Sequence, residues 1–368
     1  MTSNVIRLSI ARVSFLGLVL TVPSGVSAAT LTVATCDSAE SSKARADFVG
    51  DCDGDQQEIN AAIQALPAVG GTVLLMEGHY DIKAVGGTLG GVLIDRSYVT
   101  LEGVGMSTRL RLADAQNTNV IRIAGNGTTD IVVQNLYIDG NLTNTNSDVA
   151  GFEACGVKAA STGARPIHNV TVQNTSIERA FRLNIMLDGI NVRILNNRLG
   201  DAGSDIAELL TGPGEIAHNY VEIASVTGYA LGSDTADTVT IANNIVRVLR
   251  SGRVSQVVFR FWGGCYRNIL SNNQVYADGP SAAVVEMNGY FNIVSGNVFN
   301  VKSDQRSRFT ANAGTLVTGN IFLNIDINLK DTTPADRWPI ALSNNSFYFT
   351  TITPNTAIVV ESNNTRTP

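Results

Sequence analysis

Along most of this chain, apolar and other residues alternate for three or four positions and the run then closes on Asn. The phrase appears as VRILNN at 192–197, VTIANN at 239–244, NILSNN at 268–273 and IALSNN at 340–345. Looser versions end at Asn135, Asn174, Asn219, Asn297 and Asn320. Alternation with period two and β-branched residues at the apolar positions is strand patterning. Most steps between anchors are 22–25 residues, and the larger ones read as one coil plus an insertion. That spacing leaves no room for a strand and a helix, and no 3.6-residue pattern appears. A strand that returns every coil without helices predicts a solenoid in which equivalent strands stack in parallel. The fold class is therefore all-β, a right-handed parallel β-helix. The Asn at each bend is expected to turn inward and bond its counterparts above and below as a ladder.

One stretch breaks the pattern. In DQQEINAAIQAL (55–66), Ile59, Ala62, Ile63 and Leu66 share a helical face, Asp53 or Asp55 precedes it and Pro67 follows. A solenoid end exposes core and unpaired strand, so this segment is predicted as an N-terminal capping α-helix. The strands GGTVLLMEGHYDI (70–82) come next.

At this point the chain resembles a known family. The run DCDGDQQEINAAIQALPAVGGTVLLMEGHYDI, with VTLEGVGMSTRL (99–110) and LYIDGN (136–141), is similar to the opening of the pectate-lyase-like superfamily. That superfamily holds polysaccharide lyases, glycoside hydrolases, mannuronan epimerases and phage tailspikes. The resemblance spans about residues 47–350 and implies the fold, with substrate along one stacked-strand face. It does not choose the reaction. Neither the DPHE-type motif of alginate epimerases nor the paired-Asp and GHG pattern of polygalacturonase-like hydrolases is present. No catalytic residue transfers by motif.

Residues 1–29 read as a secretory signal peptide. Arg7 and Arg12 precede the apolar run VSFLGLVLTV (13–22), and small residues follow to Ala28 and Ala29. The run is too short to span a bilayer. The expected organisation is signal peptide 1–29, N-terminal segment 30–46, β-helix domain 47–350 and C-terminal coil and tail 351–368. A secreted or periplasmic monomer without a membrane span is expected. In an exported chain Cys36 is expected to pair with Cys52, leaving Cys155 and Cys265 as distant thiols. Three His at unrelated spacings argue against zinc, and the net charge of −6 gives no global basicity for nucleic acid.

The repeat also points to chemistry. Counting back from each anchor finds a second strand per coil, whose odd positions share one face. That face is predicted to carry Asn184, Asp188, Glu208, Arg260, Trp262, Glu286 and Asn288. Carboxylates and amides grip hydroxyls, Trp stacks on a pyranose and Arg pairs with a uronate. From 238 to 277 there is no acidic residue, yet five Arg occur. Arg250 and Arg253 are placed in a loop beside the groove, where they would attract an anionic polysaccharide.

The reading is an exported protein acting on an acidic polysaccharide by β-elimination. Arg260 is the candidate base or carboxylate clamp, with Glu208 and Asp188 as further catalytic candidates. Asn184, Trp262, Glu286, Asn288, Arg250 and Arg253 are placed as substrate contacts. Two alternatives stay open. A Glu208–Asp188 pair would suit glycoside hydrolysis, or an epimerase could share the fold. The other alternative is a non-catalytic glycan-binding or surface β-helix. No cofactor is called for; Ca²⁺ is possible, without a recognisable motif.

Overall fold

A computed structural model describes residues 29–86, 89–144, 153–226, 228–278, 281–302, 307–330, 338–354 and 359–367. Within 225–226, 250–256, 281–282 and at 354 only the backbone is considered. The sequence segment assigned to export lies outside the described residues, apart from Ala29, which opens the first strand.

Every strand pairing between named strands is parallel, and the strands fall into three stacked ladders. In one coil they are Val192–Leu195, Arg198–Leu199 and Ala207–Leu209. The first stacks on Gly214–Ala217, the second on Tyr220–Val226 and the third on Tyr229–Asp234 of the next coil. Alternation dictates this arrangement: Val192 and Ile194 face a continuous core, while Arg193 faces solvent. That core runs from Val33 to Phe347. In the later coils it becomes aromatic, with Phe299, Phe322 and Phe347 stacked at 5.3 Å between successive centroids.

The phrase-ending Asn is explained by two neighbouring bends. Asn197, Asn219, Asn244, Asn273, Asn297, Asn320 and Asn345 are buried. Each of these side-chain oxygens from Asn219 onward accepts the backbone N–H of the previous rung, as Asn219 N does to Asn244 Oδ1 at 2.9 Å. Each Nδ2 donates to the next oxygen and to a strand carbonyl, as Asn244 does to Asn273 Oδ1 and Ile216 O, both at 2.9 Å. The residue before the rung does different work. Asn196, Asn243, Asn272 and Asn344 have φ of 54–57°, the left-handed region that Asn tolerates. Asn135 and Asn174 belong to this second column, with φ of 57° and 53°. They are corner residues, not rungs; Asn174 is exposed and Thr175 fills its rung.

At the start of the fold, the helix Gln56–Ala65 buries Ile59, Ala62 and Ile63 in the core. Its N-terminal neighbour Asp55 does not cap through its side chain. The carboxylate instead accepts from Cys52 N, Asp81 N and Thr35 Oγ1, tying the opening together. The segment set apart at 30–46 proves continuous with the fold, because Ala29–Ala34 extends the first ladder against Gly71–Leu75. Cys36 and Cys52 form a disulfide with a Cα separation of 5.4 Å. Cys155 and Cys265 are buried thiols. Among the described residues, no helix is long and apolar enough to cross a membrane.

Candidate functional site

The third ladder carries one outward row in register. Lys158 lies beside Met186, Met186 beside Glu208, Glu208 beside Gly232, Gly232 beside Arg260, and Arg260 beside Glu286. Gly232 is the gap in this row. The Tyr229 ring fills the place its side chain would take, since an added Cβ would come within 2.5 Å of that ring and of the Arg260 carbonyl. A cleft of about 230 Å³ lies beside the row, lined by Met186, Asp205, Glu208, Leu210, Tyr229, Asp234, Arg260 and Trp262.

Arg260 is fixed on several sides. Its Nε lies 3.5 Å from Glu286 Oε2, and its guanidinium stacks over Trp262 at 3.9 Å and near Tyr229 at 5.7 Å. A guanidinium so held presents a planar cation to the cleft. Glu208 is only 6% exposed. Burial, reinforced by the negative charges of Asp205 and Asp234, pushes its carboxyl up to about 7, although Tyr229 and Arg260 pull the other way. Asp205 is also raised, chiefly by burial, while it accepts the Tyr229 backbone N–H at 2.7 Å. The Tyr229 hydroxyl is buried and held protonated far above its ordinary range by burial and by Glu208. It has no well-formed hydrogen bond of its own, though Glu208 lies close enough to sense it. The cleft thus combines a fixed cation, a carboxyl that exchanges its proton near neutrality and a phenol that keeps its own.

No family model matches the chain. Over 159 residues, 41% of its length, it is 36% identical to alginate lyase 7 of Azotobacter vinelandii, of which this covers 18%. Over 104 residues, 27% of its length, it is 38% identical to a mannuronan C5-epimerase of the same organism, of which this covers 19%. The chain thus spans less than a fifth of these relatives. Among solved structures, DFA-IIIase from Arthrobacter chlorophenolicus A6, in complex with DFA-III, aligns over 89% of this chain and 85% of its own. The TM-score is 0.57 and the identity 15%. The chain has the parallel β-helix fold.

Within this β-helix, Glu208, Arg260 and Trp262 come together as the sequence implies, with Glu286 behind Arg260. The register differs from that expected. Trp262 pairs with Asp234, two positions along the strand from the Glu208 row, and Arg260 occupies that row. The cause is the turn after this strand: Arg260 stands 13 residues before Asn273, where Glu208 and Glu286 stand 11 before Asn219 and Asn297. The strand itself runs unbroken over Ile245–Trp262. Arg250 and Arg253 therefore sit on strand backbone instead of a loop, and their side chains lie outside the described residues. The expected positive zone is also partly neutralised from adjacent coils. Arg247 faces Glu222, Arg260 faces Glu286 and Arg267 faces Asp237.

Two predicted contacts fall elsewhere. Asn184 is fully buried, and its amide donates to Gly200 O at 2.8 Å. It holds a turn. Asp188 lies just past the paired Leu187 and Leu209, accepts from Thr211 Oγ1 at 3.0 Å and does not line the cleft. The carboxylates that accompany Glu208 are Asp205 and Asp234. Asn288 is half-buried beside the strand end, its N–H bonded to Phe261 O. Asp205, Tyr229 and Asp234 escaped the repeat count. Asp205 precedes its strand, and Tyr229 packs with Val257 and Ala283 in a small cluster apart from the main core. The signal available for Asp234 was its position two residues beyond the row, the same relation that Trp262 bears to Arg260. Among the described residues, no three His, Cys, Asp or Glu side chains converge as a metal site would require.

Proposed function

We propose that this β-helix is an exported enzyme that cleaves an acidic, uronate-containing polysaccharide by β-elimination. The observation that carries the reading is the fixed Arg260 guanidinium beside the near-neutral Glu208 carboxyl in one cleft. The similarity to an alginate lyase and a mannuronan epimerase supports the substrate class.

Elimination needs the proton beside the uronate carboxyl removed and the resulting charge stabilised. In this reading Arg260 is the clamp, not the base. Its guanidinium is held in place by Glu286 and Trp262 and lines the cleft, where a uronate carboxylate can pair with it. Glu208 in its carboxylate form takes the C5 proton, and the C–H electron pair moves toward the clamped carboxyl. That pair then forms the C4–C5 double bond and expels the glycosidic oxygen, which takes the proton Glu208 has gained. Epimerisation shares the first step and returns a proton to the opposite face. The presence of Asp205, Glu208 and Asp234 in one cleft favours hydrolysis as a second reading, with Glu208 as acid and a partner carboxylate as base.

The test offers polymannuronate, alginate and polygalacturonate to the purified chain, with and without Ca²⁺. Ultraviolet absorbance reports the unsaturated sugar, reducing ends report hydrolysis and proton NMR reports epimerisation. An absorbance rise abolished by Arg260→Ala supports the proposal. Reducing ends without absorbance transfer the assignment to hydrolysis. Binding without any product leaves a glycan-binding β-helix.

A further inference from the structure

Both Trp residues of the chain are exposed, and they stand at the two ends of an aromatic stripe. The stripe follows the corner where the third ladder turns into the first. Trp262 is 44% exposed, Tyr266 38%, Phe291 42% and Trp338 39%. Tyr266 stacks on Tyr290 with centroids 5.7 Å apart, and Phe291 meets Trp338 edge-on at 4.9 Å. Backbone hydrogen bonds order the corner coil by coil, from Arg267 N to Tyr290 O and from Gly314 N to Trp338 O. The Phe291 ring lies over Gly314, where an added Cβ would come within 2.8 Å of it. The stripe therefore runs along the stacking axis over four successive coils, roughly 14 Å at the strand spacing.

Core packing does not account for these rings, and one of them is held against its backbone preference. Phe291 has φ of 58°, a region that is unfavourable for a bulky residue and that Gly occupies in the next coil. The main core includes none of these four side chains.

We infer that this stripe is an extended subsite over which the same acidic polysaccharide leaves the cleft; the inference rests on the function proposed above. Continuity decides the occupant. Trp262 lines the cleft and begins the stripe, and only Gly263, Gly264 and Cys265 separate it from Tyr266. A linear polymer seated on Arg260 and lying along the stacking axis meets Tyr266, then Phe291, then Trp338. Exposed rings on three of these four coils suit the apolar faces of sugar rings along the polymer. Arg267, 68% exposed on the same corner, adds a cation for a uronate, although Asp237 shares it at 3.2 Å.

The test compares the native chain with Phe291→Ala, Trp338→Ala and the double variant on polymannuronate and on a mannuronate trisaccharide. A trisaccharide with one sugar in the cleft has only two left to span the three strand spacings to Trp338, so it stops short of that ring. The expected result for the double variant is a KM for polymer raised roughly tenfold with unchanged melting, while Trp338→Ala leaves kcat/KM on the trisaccharide unchanged. Phe291→Leu removes the flat ring while keeping apolar bulk, and serves if the alanine variants fold poorly. If the native chain shows no turnover, retardation in polymannuronate-containing gels gives the same comparison. Retardation of the native chain that the double variant retains overturns the subsite alone. A native chain that neither turns over nor is retarded removes the parent reading and the subsite together. Equal loss on polymer and trisaccharide, or a concentration-dependent dimer abolished by the double variant, also overturns the proposal.

Discussion

The Asn ladder and the outward row of the third ladder are both columns of equivalent positions in the same coils. The first repeats one residue seven times from Asn197 to Asn345, and each amide is used in the same way. The second changes at every step: Lys158, Met186, Glu208, Gly232, Arg260, Glu286. A rung inside the ladder must satisfy its neighbours on both sides, so the same amide recurs, and only at its start does Thr175 take the place. An outward position must match the strand register but has no fixed partner in the next coil, so its chemistry can change from coil to coil. Uniformity marks the column that holds the coils together, and heterogeneity marks the column that borders the cleft.

Several substitutions would break that contrast. The largest expected effect is on turnover. Arg260→Ala should lower kcat/KM by roughly 10²–10³ with little change in melting, as measured by absorbance assay and thermal unfolding in parallel.

Glu208→Gln should act on both stability and pH dependence. The folded carboxyl titrates at about 7 and the unfolded one near its ordinary 4.5. Between these values the native state holds the extra proton, so the contribution to stability is present below 4.5 and is lost as pH rises through 7. Removing the charge should recover roughly 3 kcal/mol at alkaline pH and flatten the stability profile between pH 4.5 and 7. The native enzyme's kcat/KM should rise through an apparent pKa near 7, as a general base requires.

The ladder gives the next effect. Asn244→Ala strands the Asn219 N–H and the Ile216 carbonyl in the core and should cost about 2 kcal/mol, read as a lowered denaturant midpoint. The smallest effect sharpens the contrast within a single dipeptide. Asn243 supplies a left-handed corner, so Asn243→Gly should shift stability by no more than about 0.5 kcal/mol. Asp188→Asn, outside the cleft, should likewise change kcat/KM by less than about threefold.

The periodic column was legible in the sequence and the heterogeneous one only in part. The phrases at 197, 244 and 273 announce coils because the same inward contact selects Asn each time. The earlier Asn135 and Asn174 look alike but are corner residues, because Asn also suits a left-handed bend. Offsets counted back from Asn219 and Asn297 placed Glu208 and Glu286 in the row. The count from Asn273 failed, because the turn after Trp262 holds two extra residues and moves Arg260 into the row. Asn184 shows the opposite failure, since position on a strand edge says nothing of whether a turn consumes the side chain. Tyr229 and Asp205 join the cleft through a bend that interrupts alternation, and no period in the sequence encodes it.

Each rung of the ladder touches only the rung above and the rung below, and this has a consequence for descent. A whole coil can be duplicated or deleted with little rewriting elsewhere, because the new ends meet the same amide and the same strand edge. Such changes would lengthen or shorten the surface available to a polymer in steps of one strand spacing. The same locality lets a single outward residue be exchanged without disturbing its neighbours' packing. A lineage built this way can vary its outer face one coil at a time while its interior stays constant.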